Sequence, residues 1–498
     1  MWLLHVDTFE LKEFIGTNPP YAILSHTWAS DEIPFAEMRK AKYRDLAKQK
    51  TGFSKIDGCC ARAKADGYAW VWIDSCCIDK RSSAELSEAI NSMFKWYQCS
   101  RICYVYLSDV PGGNEDFDVV AKSRWFTRGW TLQELLAPRD LLFLAQDWTV
   151  LGYIGAHSYD HLCNAYVDDP TPLNHHELTQ WISLITRIPK EFISGGKRLE
   201  QACVSQRMFW ASQRTTTRPE DRAYSLMGLF DINMPILYGE GLEKAFTRLQ
   251  EEIFRSTPDQ SIFAWHYSGM SSYRLLADSP DCFQNSGNVV RLLQESSLAR
   301  EAECTRSAFY MTNLGLRITL PLHTVTESIS RDDSKTRMEA KLHCYVHGKE
   351  SGPCQVSLNL FYLDTDISGR VIYMCQRSST WNFSTGGGHP TSIFIRGISY
   401  DTETAEQQTS LTSSVAFDEV EVASRSLGII GDAVDFPAEV LKDDVPFAEL
   451  GVDSLVLVEL MSRIKDELGV QICTQDFYNN PTIGEFVAFL VAAVGLSN

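Results

Sequence analysis

The chain has 498 residues, enough for about two to four domains, and its composition is typical of a globular protein rather than a disordered or fibrous one. The net charge is −18, and residues 401–498 carry 18 Asp and Glu against 4 Lys and Arg, which excludes a nucleic-acid-binding surface and favours basic protein partners. Early charges in MWLLHVDTFELKEF exclude a signal peptide and FVAFLVAAVGL is too short to span a bilayer, so we expect a cytoplasmic protein without a membrane partner.

The first ~150 residues alternate apolar strands with amphipathic helices. Four apolar or aromatic runs are predicted strands: YAILSHTW (21–28), YAWVWIDSCCI (68–78), ICYVYLSDV (102–110) and DLLFLAQDW (140–148). Helices are predicted over 54–67, after a capping box of Ser82 and Glu85, and over 130–137. Strands that are apolar throughout and separated by helices predict a parallel α/β sheet covered on both faces.

The rest of the chain divides into segments of different composition. From about Leu151 the first domain, predicted over 1–260, continues as mostly helical. Short alternating runs such as LGLRITLPL and QVSLNLFYL predict an antiparallel β domain over 261–400. Residues 401–414 are rich in Thr, Ser and Glu and lack aromatic side chains, which indicates a linker, and residues 415–498 predict an acidic helical domain.

The C-terminal segment contains the stretch FAELGVDSL. Gly451 allows a tight turn, and Asp453 and Ser454 then stand where a helix begins, so Ser454 on its own would be a helix cap. The whole stretch, which Leu455 completes, closely resembles the attachment motif of acyl and peptidyl carrier proteins, and the similarity covers about residues 415–492. The resemblance implies a helical bundle in which Ser454 carries a covalent 4'-phosphopantetheine arm.

The carrier resemblance also implies partners. A phosphopantetheinyl transferase would attach the arm, and an acyl-loading or synthase enzyme would load it. Three acidic residues follow the attachment serine and provide docking charge for basic enzymes: Glu459, Asp466 and Glu467. The chain shows no ketosynthase, acyltransferase or adenylation domain, so we expect the loading enzyme to be a separate protein.

Four stretches of the first 260 residues resemble a second family: YAILSHTW, VWIDSCCIDK, SRWFTRGWTLQELLAP and TTRPEDRAYSLMGLFDINMPILYGEG. They are similar to the HET (heterokaryon incompatibility) domain of filamentous fungi, from about Tyr21 to Trp265. LLADSPDCF and MTNLGLRITLPL extend the similarity toward residue 400. The resemblance implies a role in self/non-self recognition and cell death, and a fold similar to the TIR domain.

Within this region, the order of residues in WTLQEL parallels the glutamate helix of TIR domains that cleave NAD. The resemblance implies that Glu134 is catalytic and stabilises the charge that develops on ribose, or orients the attacking water. Four residues would then contact the ligand: Ser25, Trp28, Arg128 and Trp130. Such a site could require a homo-oligomer to be complete. The alternative is that Glu134 is a structural ion-pair partner of Arg128 or Arg139.

A second constellation consists of His26, Asp74 and either Cys76 or Cys77. These residues lie at predicted strand ends, and sites in α/β folds form at the carboxyl edge of the parallel sheet. A thiolate activated by His26 could accept an acyl group from the carrier arm. The alternative is a buried cysteine pair beside a hydrogen-bonded histidine. The fourteen cysteines include no CxxC motif, and the sequence predicts no metal site.

These observations leave three functions open. The chain could tether an acyl or polyketide-type thioester on its carrier domain in a fungal secondary-metabolite pathway. The HET domain could instead hydrolyse NAD as a TIR-like effector of incompatibility or cell death. The third function is an acyl-transfer or thioester-hydrolysing enzyme that acts on the carrier-bound group. Whether the HET domain is an enzyme is open on the sequence.

Overall fold

The computed structural model divides the chain into two compact units, Met1–Tyr400 and Asp401–Asn498. The residues that the structure describes are 1–113, 116–155, 175–266, 274–291, 309–312, 315–325, 337–347, 353–365, 371–376, 389–396, 422–423, 426–427, 430, 460, 464, 470 and 482–496. The predicted linker over 401–414 lies outside the described residues. The predicted carrier motif lies outside them as well: Gly451, Asp453, Ser454 and Leu455.

A seven-stranded mixed sheet opens the first unit. Its strands are β1 (Trp2–His5), β2 (Leu11–Glu13), β3 (Ala22–His26), β4 (Trp70–Trp72), β5 (Ile102–Tyr106), β6 (Asp140–Leu144) and β7 (Val150–Gly155). Their order across the sheet is β2-β1-β4-β3-β5-β6-β7. The pairs β4–β3, β3–β5 and β5–β6 are parallel, whereas β1, β2 and β7 join by antiparallel pairing.

The four strands predicted from the sequence form the parallel centre of this sheet, and the three antiparallel edge strands were not predicted. The region predicted as mostly helical from about Leu151 opens instead with the strand Val150–Gly155. The chain reverses after β6 because the amide of Thr149 donates to the carboxylate of Asp147, and Trp148 adopts a positive φ of 68°. This turn brings the apolar run VLGYIG back beside β6 as a hairpin.

Helices connect and extend this sheet. Those described in the first unit are α1 (Phe35–Arg39), α2 (Ala41–Ala47), α3 (Phe53–Ala65), α4 (Ser83–Cys99), α5 (Phe117–Ala121), α6 (Thr131–Leu136), α7 (His175–Thr186), α8 (Lys190–Ile193), α9 (Val204–Ala211), α10 (Asp221–Tyr224) and α11 (Leu242–Ser256). The hydroxyl of Ser82 accepts from the amide of Glu85 at the start of α4, as expected. The Glu85 carboxylate accepts from the amide of Asp79 instead of Ser82, so the reciprocal half of the capping box is not formed.

A second seven-stranded sheet follows within the first unit. Its strands are β8 (Val289–Arg291), β9 (Tyr310–Thr312), β10 (Gly315–Val325), β11 (Arg337–His347), β12 (Pro353–Thr365), β13 (Val371–Gln376) and β14 (His389–Arg396). The pairings are antiparallel except for β13–β14, which is parallel. Because β10 pairs with both β11 and β14, the five strands from β10 to β14 form a closed ring. Phe309 packs on Phe254 and Phe263 at ring distances of 5.7 and 5.5 Å, which joins this sheet to the helical region.

The described residues of the second unit are mostly helical. Helix α12 (Ile483–Leu496) buries Ile483, Phe486 and Leu490, and the Thr482 hydroxyl accepts from the amide of Glu485 at its start. Leu460 and Ile464 are helical and fully buried one turn apart, so they lie on the apolar face of their helix. Among the described residues, no helix combines the length and the apolar character needed to cross a membrane.

Candidate functional site

A cleft of about 270 Å³ opens at the carboxyl ends of β3 and β4, where the loops after these strands meet α4 and α6. Six of the residues predicted for a site line it: His26, Trp28, Asp74, Arg128, Trp130 and Glu134. Ser25 lies behind the wall of the cleft and contacts Glu134. The parallel centre of the sheet produces this cluster because the carboxyl ends of parallel strands share one edge.

Glu134 is held by a hydrogen-bonded chain of three buried side chains. The hydroxyl of Ser25, on β3, donates to Oε2 of Glu134 at 2.5 Å, and the indole Nε1 of Trp125 donates to the same hydroxyl at 2.8 Å. The Ser25 oxygen accepts from the indole N–H, and its hydroxyl hydrogen is donated to Glu134. The carboxyl group therefore has a defined orientation toward the cleft.

The protonation state of Glu134 is set by its environment. Burial raises the pKa of Glu134 to about 8, and the negative charge of Asp74 acts in the same direction. The hydrogen bond from Ser25 and the positive charge of Arg128 lower the pKa, but do not offset the burial. Among the described residues, no arginine forms an ion pair with Glu134, so the structural ion-pair alternative is not supported. Glu134 is mostly neutral at pH 7, and a cationic ligand would favour its ionised form.

The opposite wall combines aromatic and charged groups. The indole Nε1 of Trp28 donates to Asp74 at 2.8 Å, and the ammonium of Lys80 lies 3.5 Å from the centroid of the Trp28 ring. Desolvation lowers the pKa of Lys80. His26 lies between two carboxylates, with Nε2 at 3.6 Å from Asp74 and 3.7 Å from Glu32. This wall thus holds a buried histidine between two carboxylates, and Lys80 covers one face of the Trp28 ring.

The third wall comes from the helical region. Nη1 of Arg128 donates to the hydroxyl of Thr217 at 3.3 Å, and the guanidinium of Arg218 lies 4.0 Å from the centroid of the Tyr238 ring. The hydroxyl of Tyr238 donates to Asp221 at 2.9 Å, and burial raises the pKa of that carboxyl group. The cleft is thus completed by residues more than eighty positions beyond Arg128.

Sequence reasoning did not identify several residues of the site. The cleft residues and supporting residues that it missed are Glu32, Lys80, Trp125, Thr217, Arg218, Asp221 and Tyr238. Four of them lie in TTRPEDRAYSLMGLFDINMPILYGEG, the stretch that carried part of the HET resemblance. That stretch was a signal for these four residues, although only the fold shows that they face the cleft.

The two predicted cysteines do not line this cleft. Cys76 and Cys77 are 0% and 2% exposed, and Cys77 borders a different cavity beside Trp2 and Glu88. The contact with Cys77 and burial raise the pKa of Cys76 well above its usual range. Nε2 of His26 faces Asp74 and Glu32 instead of a thiol. The geometry therefore favours the buried-pair alternative over a thiolate nucleophile.

Comparison with known families separates the two ends of the chain. Residues 21–116 match the family described as heterokaryon incompatibility protein (HET), and residues 427–490 match the family described as phosphopantetheine attachment site. The chain combines a HET domain with a C-terminal phosphopantetheine-binding domain. Residues 244–273, in and after α11, match a domain of unknown function, DUF8212. The second match contains Ser454 and the FAELGVDSL stretch.

Individual relatives show the same division. The vegetative incompatibility protein HET-E-1 of Podospora anserina is 43% identical over 249 residues, which cover 48% of this chain and 16% of that protein. Polyketide synthase 2 of Metarhizium robertsii is 41% identical over 68 residues, 14% of this chain and 3% of that synthase. The HMG-ACPI domain from the CurA module of Lyngbya majuscula covers 17% of this chain and 88% of its own, at 18% identity and a TM-score of 0.16, too low to carry a conclusion. The chain thus spans a small part of the incompatibility protein and of the polyketide synthase.

The phosphopantetheine-binding domain has residues that fit a covalent arm. Attachment needs a hydroxyl oxygen that forms a phosphodiester, and Ser454 supplies it within the matched residues. The helical and buried Leu460 and Ile464 follow it by six and ten positions, so the inward face of this segment is used for packing. A phosphopantetheine arm would provide the terminal thiol that forms a thioester with an acyl group.

Proposed function

We propose that the C-terminal domain carries 4'-phosphopantetheine on Ser454 and tethers an acyl or polyketide-type thioester in a fungal secondary-metabolite pathway. The observation that carries this proposal is the match of residues 427–490, which contain GVDSL, to the phosphopantetheine attachment family. The similarity of this region to polyketide synthases supports a polyketide-type cargo. The partners are then a phosphopantetheinyl transferase and a loading enzyme that docks on the acidic surface.

The test is modification of the full chain by coenzyme A and a promiscuous phosphopantetheinyl transferase. Peptide mass spectrometry should find the arm on the peptide that contains Ser454 and on no other peptide. Ser454→Ala should remove the modification, whereas Ser462→Ala, a serine eight positions further along, should leave it in place. An unmodified wild-type chain with several transferases would contradict the proposal.

For the HET domain we propose, as a second function, hydrolysis of the nicotinamide–ribose bond of NAD. The observation that favours it is Glu134, buried and oriented by Ser25 at the edge of a cleft that also presents Trp28 and Trp130. The bond from C1' of the ribose to the nicotinamide nitrogen breaks, and water attacks C1' to leave ADP-ribose, nicotinamide and a proton. The cationic nicotinamide ring favours the ionised form of Glu134, which then stabilises the positive charge on the ribose.

Two finer features belong to this second proposal. The central strand order β4-β3-β5-β6, with parallel pairing, supports a TIR-like core. A homo-oligomer completes the site, as the resemblance to NAD-cleaving TIR domains implies. The acyl-transfer alternative has less support because Cys76 and Cys77 are buried away from the cleft.

The test of the second proposal is nicotinamide release from NAD by the full chain at high protein concentration. Glu134→Gln keeps the size of the side chain and removes its charge, so it should lower the rate by at least about a hundredfold. Glu177→Gln, on α7 outside the cleft, should keep the wild-type rate. Equal rates for wild type and Glu134→Gln would remove Glu134 from the mechanism, and no release by the wild type would remove the reaction.

A further inference from the structure

Two arginines from distant parts of the sequence face the same cleft. Arg128 precedes α6, and Arg218 lies between α9 and α10. Within the part of the chain that the structure describes, neither guanidinium has a carboxylate within ion-pair distance. A guanidinium carries five N–H donors in a planar fork, and the protein satisfies few of those donors here. Two cations without an acidic partner at one rim indicate that the cleft binds an anion.

The acidic residues next to Arg218 in the sequence have other partners. One oxygen of Glu220 accepts from the backbone amides of Gly239 and Gly241 at 2.8 and 3.1 Å. Asp221 accepts from the hydroxyl of Tyr238 at 2.9 Å. Both carboxyl groups therefore hold the loop before α11 in place. Arg218 acts on both carboxyl groups through its charge but forms no ion pair with either, so its guanidinium donors can still reach a ligand.

The two arginines are held in a fixed relation to each other. The amide of Gly129 donates to the carbonyl of Thr215 at 2.8 Å, and the amide of Thr215 donates to the carbonyl of Thr127 at 2.7 Å. Buried Arg214 donates through Nη1 to the carbonyl of Arg128 at 2.9 Å. On the other side, the ring of Tyr238 supports the guanidinium of Arg218 at 4.0 Å. These contacts join both guanidinium groups to one rigid rim.

We propose that Arg128 and Arg218 together bind the diphosphate of the ligand in the cleft, and that Arg218 determines the preference for a nucleotide over a nucleoside. This inference rests on the second proposed function, because that reaction places a dinucleotide in the same cleft. Planar guanidinium groups match phosphate oxygens with paired hydrogen bonds. The planar base of the ligand would then pack at the other end of the cleft, against apolar side chains of α4 and the loop before it. These side chains are Ile78, Leu86, Ile90 and Met93.

The test is calorimetric binding of ADP-ribose and of nicotinamide riboside to the full chain. Arg218→Ala should weaken ADP-ribose binding by about tenfold or more, and Arg218→Lys should lose less because it keeps the charge. Nicotinamide riboside has no phosphate, so its affinity should be the same in wild type and variants. Arg101→Ala is the matched control, because this exposed arginine precedes β5 and lies at the opposite edge of the sheet. This variant should bind ADP-ribose with the affinity of the wild type.

The outcomes separate this inference from the proposed reaction. Loss of ADP-ribose affinity in Arg218→Ala with unchanged riboside affinity supports the diphosphate site even if the protein releases no nicotinamide. NAD hydrolysis with the same KM in wild type and Arg218→Ala would contradict the diphosphate site and leave the reaction standing. Equal ADP-ribose affinity in both proteins, or no binding by the wild type, would also overturn the inference. Because Arg218 is exposed, its replacement should leave the melting temperature unchanged, and this value confirms that the variant is folded.

Discussion

The hydroxyl of Ser25 links the indole of Trp125 to the carboxyl group of Glu134. Trp125 donates to the Ser25 oxygen, and Ser25 donates to Glu134, so the ionised carboxylate receives a hydrogen bond from a positioned hydroxyl. That bond does not overcome burial, which raises the pKa of Glu134 to about 8. The site therefore contains a carboxyl group that ionises near physiological pH, a property typical of functional groups.

A raised pKa makes Glu134 destabilising as the pH increases. The unfolded chain releases this proton at the ordinary value of 4.5, and the folded chain keeps it until about pH 8. Between these values the free energy of unfolding of the wild type should fall, relative to Glu134→Gln, by up to about 1.4 kcal/mol per pH unit. Above pH 8 the difference should be constant, and below pH 4.5 ionisation should contribute nothing.

Urea unfolding of both proteins from pH 4 to 9 measures this difference. Other groups titrate over the same range, but they are shared by the two proteins and cancel in the comparison. A difference between wild type and Glu134→Gln that does not change with pH would show that the carboxyl group titrates normally.

At the scale of elements, the cleft depends on the contact between two segments far apart in sequence. Residues 127–129 pair with Thr215 through two backbone hydrogen bonds, and Gly129 lies at the closest approach. A Cβ at Gly129 would be 2.5 Å from Cγ2 of Thr216 and 3.3 Å from Oγ of Ser225. Glycine therefore leaves room here for the side chain of Thr216, and it is not needed for an unusual φ angle.

Gly129→Ala should separate these two segments and enlarge the cleft. The strain should lower the free energy of unfolding by about 1 to 3 kcal/mol, which denaturant unfolding measures. The variant should also bind ADP-ribose more weakly, because Arg128 and Arg218 move apart. At Gly196 a Cβ would have no contact closer than 3.4 Å, so Gly196→Ala is the matched control and should change neither property. Wild-type stability and affinity in Gly129→Ala would contradict the close packing of the two segments.

The same contact explains which parts of the site the sequence could predict. His26 and Asp74 follow central parallel strands, so the strand pattern alone places them at one edge of the sheet. Glu134 was implied by the resemblance to TIR domains that cleave NAD. Arg218 and Tyr238 reach the cleft through the tertiary packing of the helical region against the sheet. The periodicity of the sequence does not predict where this region packs. The edge strand Leu11–Glu13 has only three residues, too short for a periodic signal.

At the scale of the whole molecule, the chain joins two compact units of different charge. Residues 401–498 contribute −14 of the net charge of −18, so the first unit is close to neutral and the second strongly acidic. This distribution agrees with a carrier that recruits basic enzymes and a separate domain with its own ligand. We propose that residues 401–414 connect them as a linker.

Limited proteolysis of the full chain tests this connection. Residues 401–414 contain few apolar side chains to bury, so a protease should cut there first. The products should be a large N-terminal fragment and a stable fragment of about 10 kDa, the size of a domain of about 80 to 100 residues. Rapid digestion of the C-terminal fragment, or first cuts within residues 1–260, would contradict an independent carrier domain.

The most direct measurement of the tethering function is the mass of the peptide that contains Ser454, from protein isolated from a filamentous fungal host. We predict that this peptide carries phosphopantetheine with an attached acyl group, and that hydroxylamine, which cleaves thioesters, removes the acyl mass and leaves the arm. Ser454→Ala from the same host should carry neither. An unmodified Ser454 peptide would contradict the account, and an arm that stays free of acyl groups in cells producing polyketides would contradict the proposed cargo.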